Sequence, residues 1–149
     1  MKDLSEEIRP ATSDDLPDIL ALLERSKLPV DGLAEHLAAA LVARTADGIA
    51  GCAAVEIYGT AGLLRSVAVD PGRRGAGLGH RLTAAALDLA LARGVRSVYL
   101  LTTTAGDFFP RFGFTRIDRK EMDAALEQSA ELRGACPASA VAMRADLSR

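Results

Sequence analysis

Residues 67–79 read Val-Ala-Val-Asp-Pro-Gly-Arg-Arg-Gly-Ala-Gly-Leu-Gly. The apolar start predicts a strand, and Pro71 ends it because proline has no amide hydrogen for a sheet ladder. Apolar residues recur at helical spacing after this segment, so a strand, a tight turn and a helix are expected in that order. Gly75, Gly77 and Gly79 let the backbone turn sharply and approach a ligand closely. The segment therefore predicts both the centre of the fold and its main candidate site.

The predicted turn has the chemistry of an anion site. Its amides stand at the beginning of a helix, where unpaired N–H groups and the helix dipole attract negative charge. Arginines surround it, with Asp70 as the one acid among them; they are Arg65, Arg73, Arg74 and Arg81. These features favour a phosphorylated ligand, most simply a pyrophosphate. The alternative is a glycine-rich turn with solvated arginines.

Two other phosphate-binding motifs fit this turn less well. A Walker loop requires a lysine and a hydroxyl after the glycines, and Leu78-Gly79-His80 supplies neither. A dinucleotide fingerprint requires the spacing GxGxxG directly after a strand. The spacing here is GxGxG, and a proline intervenes.

Outward from this segment, periodicity and turn residues predict a mixed α/β domain. Helical segments are expected at 13–26, 31–37, 77–94, 106–111 and 120–131. Extended segments are expected at 8–10, 38–45, 49–58, 63–69, 95–103, 112–118 and 138–144. The alanines of 38–45 also suit a helix, but Asp47-Gly48 favours a hairpin and hence a strand. An antiparallel meander is thus followed by a strand–helix–strand crossover.

Composition narrows the class of protein. The chain has 149 residues, 49% of them apolar and 26% charged, which suits one packed domain over 1–149. A net charge of −2, aromatic residues at 4% and no Trp give no reason to expect nucleic acid. Neither a secretory signal nor a membrane span is evident, so we expect a cytoplasmic protein. A homodimer stays an open alternative.

The cysteines and histidines indicate no metal site. Cys52 and Cys136 lack the spacing of zinc ligands. We expect both to be buried thiols, and a disulfide between them stays open. His36 and His80 have no partner that the sequence identifies.

Residues 74–79, Arg-Gly-Ala-Gly-Leu-Gly, resemble the Arg-x-x-Gly-x-Gly/Ala signature of the GNAT N-acetyltransferase superfamily. In that family this loop holds the pyrophosphate of acetyl-CoA. Residues 8–11 with the following helix are similar to the family's opening, and 67–71 to its fourth strand, which pairs with the pantetheine arm. Residues 105–114 are similar to its second motif. The resemblance implies a mostly antiparallel sheet of about six to seven strands with helices on both faces.

The resemblance also implies which residues contact acetyl-CoA. The expected set comprises the fourth strand, the glycine-rich loop, the end of the crossover strand and the second motif. Its members are Val67, Ala68, Val69, Arg73, Arg74, Gly75, Ala76, Gly77, Leu78, Gly79, Thr103 and Phe109.

A narrower resemblance suggests the acceptor. Residues 64–69, 102–104, 107–109 and 133–140 together look like the acetyltransferases associated with arsenic-resistance operons. That family is linked to acetylation of the amino group of toxic amino-acid analogues such as arsinothricin or phosphinothricin. The resemblance therefore implies acetyl transfer to a primary amine of a small molecule. A protein or peptide N-terminal acetyltransferase and an inactive acyl-CoA-binding sensor remain alternatives.

For the reaction, the resemblance implies direct transfer from the thioester to the amine. Positioning and backbone N–H donors then supply most of the acceleration, with the backbone of Val67 as the expected oxyanion donor. Phe109 stands where the family often has a tyrosine acid, and Leu63 or Leu64 where it often has a glutamate. Glu56 on the neighbouring strand is a candidate base acting through water; its alternative is a solvated residue on a strand face.

Four residues are expected to bind the acceptor. Strand alternation would put Arg65 on the same face as Val67 and Val69, where its guanidinium would clamp a carboxylate bidentately. The alternative for Arg65 is a surface ion pair. Ser66 and Thr102 border the same cleft. Arg133 precedes the last strand, where the family shapes its acceptor pocket, or it is a solvated helix end.

Overall fold

A seven-stranded mixed sheet forms the centre of the molecule in the computed structural model, which describes residues 7–46, 48–103, 106–135 and 139–147. The strands are β1 (Glu7–Pro10), β2 (Ala40–Thr45), β3 (Gly48–Tyr58), β4 (Ala61–Val69), β5 (Ser97–Thr102), β6 (Thr115–Ile117) and β7 (Val141–Asp146). Their spatial order is β1-β2-β3-β4-β5-β7-β6. The β4–β5 pair is parallel and the others are antiparallel, as the predicted meander and crossover require.

One α-helix covers each face of the sheet. Helix α1 (Leu16–Arg25) buries Ile19, Leu22 and Leu23 against one face. Helix α2 (Leu78–Ala92) covers the other, and Leu78, Leu82, Ala86 and Ala90 form its buried stripe. The helical spacing that predicted α2 is therefore the spacing that packs it. Within the described residues, no helix combines the length and the apolar character needed to cross a membrane.

Close packing of α2 on β3 depends on Gly51. A Cβ atom at this position would lie 2.8 Å from Leu82 Cδ1 and 2.9 Å from the carbonyl oxygen of Ala68. The backbone oxygen cannot move aside as a flexible side-chain end would. A glycine here therefore lets the helix and β4 both approach β3.

The prediction of a hairpin is confirmed, whereas the prediction of a helix at 120–131 is wrong. Residues 40–45 form a strand that pairs with β3, although Asp47 of the expected turn lies outside the described residues. In place of one helix, 3₁₀ turns occupy Arg119–Glu121 and Ala124–Gln128, and a π turn follows. The carboxylates of Asp118 and Asp123 accept hydrogen bonds from the backbone amides of Lys120 and Ala125, respectively. Each aspartate thus starts a new short turn, because its side chain competes for the backbone donors.

A β-bulge in β4 opens the sheet beside it. Ala54 pairs with Arg65 and Cys52 with Ala68, so β4 carries an extra residue, and Ser66 has a left-handed φ of 61°. The parallel pairing of β4 with β5 covers only 61–63 and 97–99. The two strands separate beyond that point, which leaves the C-terminal half of β4 without a β5 partner.

Candidate active site

A cavity of about 930 Å³ lies where β4 and β5 separate. The bulged half of β4 forms one wall and the end of β5 with Thr103 forms another. The loop before α2 closes one end. The segment 26–29 after α1 and the side chain of Glu131 border it as well. The size is that of a small-molecule or cofactor site.

The loop before α2 is shaped for an anionic group. Gly75 and Gly77 have φ angles of 89° and 84°, which side-chain-bearing residues rarely adopt. A Cβ atom at either position would meet no atom within 4 Å, so the backbone faces open space. Helix α2 begins directly after Gly77, and its first amides have no intrahelical acceptor. These features fit a phosphate group, as the sequence predicts.

The expected acetyl-CoA contacts lie together around the cavity. Arg73, Arg74 and the backbone of the loop border one end, and Arg74 Nε donates to the carbonyl oxygen of Val69 at 3.1 Å. Ala76 is exposed on the same loop without lining the cavity. The other expected acetyl-CoA contacts that line it are Gly75, Gly77, Leu78, Gly79, Val67, Ala68, Val69, Thr103 and Phe109. Ser66 and Thr102, expected to bind the acceptor, line it as well. Thr104 and Ala105 lie outside the described residues.

Phe109 belongs to an aromatic cluster at the cavity wall. It is 7% exposed, and its ring makes edge contacts to Phe108 at 5.1 Å and Phe114 at 5.9 Å between centroids. Tyr58 and Tyr99 are the chain's two tyrosines, and neither lines the cavity. A tyrosine acid is therefore not supplied by this site.

The placement expected for Arg65 is wrong. Val67 and Val69 contact the cluster under α2, whereas Arg65 points to the other side of the sheet, where its guanidinium meets the loop after α1. The extra residue at Ser66 breaks the two-residue alternation between them.

The guanidinium of Arg65 is already occupied. Its Nη1 donates to Glu56 Oε2 and to the carbonyl oxygen of Asp31, both at 2.7 Å. Its Nη2 donates to the carbonyl oxygen of Pro29 at 3.1 Å, and its Nε to Ser66 Oγ at 3.0 Å. The side chain has no exposed surface. Neither a surface ion pair nor a free fork for a substrate carboxylate describes this residue; it ties the loop after α1 to the sheet.

Glu56 is likewise buried, with 0% exposure, so the solvated alternative is wrong. Its Oε1 accepts the Tyr58 hydroxyl at 2.6 Å and lies 3.6 Å from His36 Nε2. Burial, followed by the hydrogen bond to Glu56, raises the pKa of Tyr58. Glu56 does not border the cavity, so a role through water would need a path that these contacts do not offer.

Sequence reasoning missed five polar residues that line the cavity: Ser26, Lys27, His80, Arg111 and Glu131. Of these, Glu131 has its Oε2 3.4 Å from Arg65 Nε. Arg133, expected in the acceptor pocket, is instead exposed, and its Nε donates to the carbonyl oxygen of Glu127 at 3.0 Å. No local pattern distinguishes Glu131 from its exposed neighbours, because only the fold of this segment onto β4 buries it.

His80 lines the cavity, whereas Cys52 is packed in the core. His80 stacks on Phe112 with a centroid distance of 4.7 Å. Cys52 is a free, buried thiol that donates to the carbonyl oxygen of Ser66, and burial raises its pKa to about 12. Cys136 lies outside the described residues. In the part of the chain that the structure describes, no cluster of three or more potential metal ligands occurs.

Residues 36–116 match the family model described as an acetyltransferase (GNAT) domain. This chain belongs to that family. The matched region contains β2 to β5, α2 and the glycine-rich loop, and therefore most of the residues that line the cavity.

The chain is similar in sequence to proteins named amino-acid acetyltransferase. That of Neisseria meningitidis is 30% identical over 127 residues, which cover 77% of this chain and 28% of the relative. That of Mycobacterium tuberculosis is 37% identical over 71 residues, 47% of this chain and 40% of the relative. The chain thus spans less than half the length of either protein.

Solved structures agree with this relationship. N-acetylglutamate synthase from Neisseria gonorrhoeae, complexed with coenzyme A and N-acetyl-glutamate, superposes with a TM-score of 0.82 at 25% identity, covering 99% of this chain and 36% of that one. Rv2747 from Mycobacterium tuberculosis, in complex with CoA and NLQ, gives 0.79 at 25% identity, covering 95% and 99%.

Proposed function

We propose that this protein transfers an acetyl group from acetyl-CoA to the amino group of a free amino acid or of a toxic amino-acid analogue. The observation that carries the proposal is the cavity between β4 and β5. It has an anion-binding loop at one end, and a positive and a negative side chain, Lys27 and Glu131, on its border. The names of the amino-acid acetyltransferase relatives support the same acceptor class.

Acetyl-CoA fits the cavity by its chemistry. Its pyrophosphate suits the amides of 75–79 and the side chains of Arg73 and Arg74. Its pantetheine arm has amide groups that suit the unpaired backbone edge of β4 between Val67 and Val69, because this edge has no β5 partner. Acetyl-CoA would supply the activated acetyl thioester, and the residues of the chain would bind and orient it.

The amino-acid acceptor is supported by charges that are not used for the phosphate end. An amino acid carries an ammonium and a carboxylate, and the cavity border offers Glu131 and Lys27. Lys27 is exposed, and no ion pair of its ammonium occurs among the described residues. We assign to Lys27 the carboxylate-binding role that the sequence suggested for Arg65.

Acceleration would come chiefly from placing the amine against the thioester. The backbone N–H groups at the bulge, Val67 included, would donate to the oxygen that becomes negative. A thiolate is a stable leaving group near neutral pH, since the ordinary thiol pKa is about 8.5. The reaction therefore does not require a proton donor at the position of Phe109.

A thiol-release assay with a panel of amines tests the proposal. Purified protein with acetyl-CoA should release thiol on addition of phosphinothricin, arsinothricin or L-glutamate, and mass spectrometry should find the N-acetyl product. Peptides with free N-termini serve as the comparison. Faster turnover of peptides would favour the N-terminal acetyltransferase alternative. Tight acetyl-CoA binding without turnover of any amine would favour an acyl-CoA sensor.

The arsenic-resistance assignment rests on the narrower sequence resemblance and on no contact of the structure. It predicts that arsinothricin is acetylated with a higher kcat/KM than L-glutamate. It also predicts that expression of the protein protects a sensitive bacterium against arsinothricin. The reverse order of kcat/KM would limit the proposal to ordinary amino acids.

A further inference from the structure

Glu131 is the acidic side chain of the cavity. Among the described residues that line the cavity, it is the one that carries a carboxylate, and it is 3% exposed. A carboxylate removed from bulk water in this way needs positive charge or hydrogen-bond donors around it. Its surroundings therefore indicate what it can bind.

One guanidinium faces two carboxylates beside the cavity. Arg65 makes its short contact, 2.7 Å, with Glu56, whereas its Nε is 3.4 Å from Glu131 Oε2. His36, at 3.6 Å from Glu56, adds positive charge only when it is protonated. With a neutral histidine, the Glu56–Arg65–Glu131 group carries a net negative charge. Glu131 is the member of this group whose carboxylate belongs to a residue lining the cavity, and this negative charge suits an ammonium ion.

The position of Glu131 is fixed by its own short turn. Its backbone N–H donates to Ser129 Oγ at 3.1 Å, and the N–H of Arg133 donates to the carbonyl oxygen of Ser129 at 3.1 Å. Ser129 is 1% exposed. These contacts fix the backbone of Glu131 beside the cavity, and its carboxylate contacts Arg65.

Ser26 is a second polar residue on the border of the same cavity. Its Oγ is buried and has no hydrogen-bond partner among the described residues. Unpaired buried hydroxyls are costly and uncommon in folded proteins. Ser26 and Glu131 both border the cavity, so this part of its wall is polar.

We infer that Glu131 binds the ammonium group of the acceptor and takes its first proton. Arg65, held by Glu56, is the positioning residue that keeps Glu131 ionised and oriented. This inference rests on the proposed function and names the catalytic base within it. Sequence reasoning gave that role to Glu56, which the fold places behind Arg65.

The proton balance of the step is complete. The neutral amine forms the C–N bond to the acetyl carbon, and the thioester C–S bond breaks. Of the two protons that the ammonium nitrogen loses, one passes to Glu131 and then to water. The other leaves the nitrogen as the sulfur departs and reaches the sulfur through solvent. The products are the N-acetyl compound, the free thiol and one proton.

Other titratable or charged groups border the cavity and bear on its pH dependence. Lys27 lies on the segment after α1, Arg65 on β4, and the remaining groups lie on the glycine-rich loop, α2 and the second motif: Arg73, Arg74, His80 and Arg111. Of the cationic side chains, those of arginine and lysine keep their charge across neutral pH. The imidazole of His80, which also lines the cavity, is a further side chain that can accept a proton, so the test includes His80→Gln.

The test compares pH profiles of kcat/KM for the better acceptor of phosphinothricin and L-glutamate. If Glu131 accepts the proton, the wild-type profile stays nearly flat below the pKa of the amine. In Glu131→Gln, kcat/KM should rise about tenfold per pH unit, because only the neutral fraction of the amine can then react. The kcat of this variant should fall by ~100-fold. Glu131→Asp should retain the flat profile at a reduced rate. Glu127→Gln, an exposed carboxylate of the neighbouring turn, is the matched control.

Each outcome bears on the inference. An unchanged rate in Glu131→Gln, or a lower rate with the wild-type profile, overturns it, the second result indicating a structural role. A flat profile that disappears in His80→Gln instead assigns the proton to His80 and also overturns it. Acetyl-CoA affinity, measured by calorimetry, should be the same in every variant. If wild-type protein binds acetyl-CoA but acetylates neither acceptor, the proposed function fails, which is a different result from loss of the Glu131 effect.

Discussion

The Arg65 guanidinium and the Glu56 carboxylate form a 2.7 Å ion pair in which neither side chain has exposed surface. The pair joins β4 to β3, and through the carbonyl oxygens of Pro29 and Asp31 it also holds the loop after α1. A buried ion pair of this kind contributes little net stability, but each partner depends on the other.

Loss of either partner of this pair should therefore destabilise the fold strongly. We expect Arg65→Ala to lower the free energy of unfolding by about 3–5 kcal/mol, because Glu56 is left as an unpaired buried charge. Arg65→Ala combined with Glu56→Gln should recover part of that loss. Urea denaturation of the single and double variants measures both. Arg65→Ala with wild-type stability would contradict the buried geometry.

The glycine-rich loop should lose its ligand when a side chain is added at Gly77, where the backbone faces open space. We expect Gly77→Asp to abolish acetyl-CoA binding in calorimetry, because the side chain would occupy the space above the amides and add negative charge there. Gly94→Asp is the matched control: its φ of 91° is similar, its surroundings are equally open, and it follows the other end of α2. Equal affinity in folded Gly77→Asp would place the pyrophosphate elsewhere.

Lys27 should affect the acceptor without affecting acetyl-CoA. Lys27→Met keeps the length of the side chain and removes its charge, so the acceptor KM should rise by about tenfold with little change in kcat. Lys120→Met, an exposed lysine away from the cavity, is the control. A fall in acetyl-CoA affinity instead would assign Lys27 to the phosphates, and unchanged kinetics would remove it from the site.

Phe109→Tyr should be tolerated, because this ring borders the cavity. We expect a stability close to that of the wild type and a changed pH dependence of kcat, since a hydroxyl beside the departing sulfur can donate a proton. Phe114→Tyr is the comparison: Phe114 is 2% exposed and does not line the cavity. That variant should lose about 1–3 kcal/mol from an unpaired buried hydroxyl. The same loss in Phe109→Tyr, with unaltered kinetics, would show that its ring edge faces the core.

Asp15 should make the fold sensitive to acid. Hydrogen bonds from Arg9, with further ones from the backbone of Thr12 and from Arg44, hold the pKa of this carboxyl well below its ordinary value. A depressed pKa stabilises the fold in full above about pH 4, and the contribution is lost as the pH falls below it. Asp15→Asn should cost about 1.5–3 kcal/mol at pH 7 and progressively less between pH 4 and 2. Asp14→Asn, at an exposed neighbour, should show neither effect in urea denaturation.

The local pattern of the sequence was sufficient for the elements and for the anion loop. Strand, proline, glycines and helix follow one another within 67–92, and each is specified by nearest neighbours and by the spacing of apolar residues. For the same reason the buried stripe of α2 and the β2–β3 hairpin were predictable. Short-range signals failed at 120–131, where aspartate side chains competed with the helix for backbone amides.

The sequence by itself determined the strand–turn–helix unit, its open glycines and the family resemblance, because these depend on residues that are adjacent in the chain. Only the tertiary structure decided which charges meet at the cavity. One extra residue in β4, at Ser66, reverses the side of the sheet to which Arg65 points. Glu56 and Glu131, separated by more than half the chain, then reach the same guanidinium. Strand alternation cannot foresee such a bulge, since it depends on how β4 pairs with β3 and not on the composition of β4.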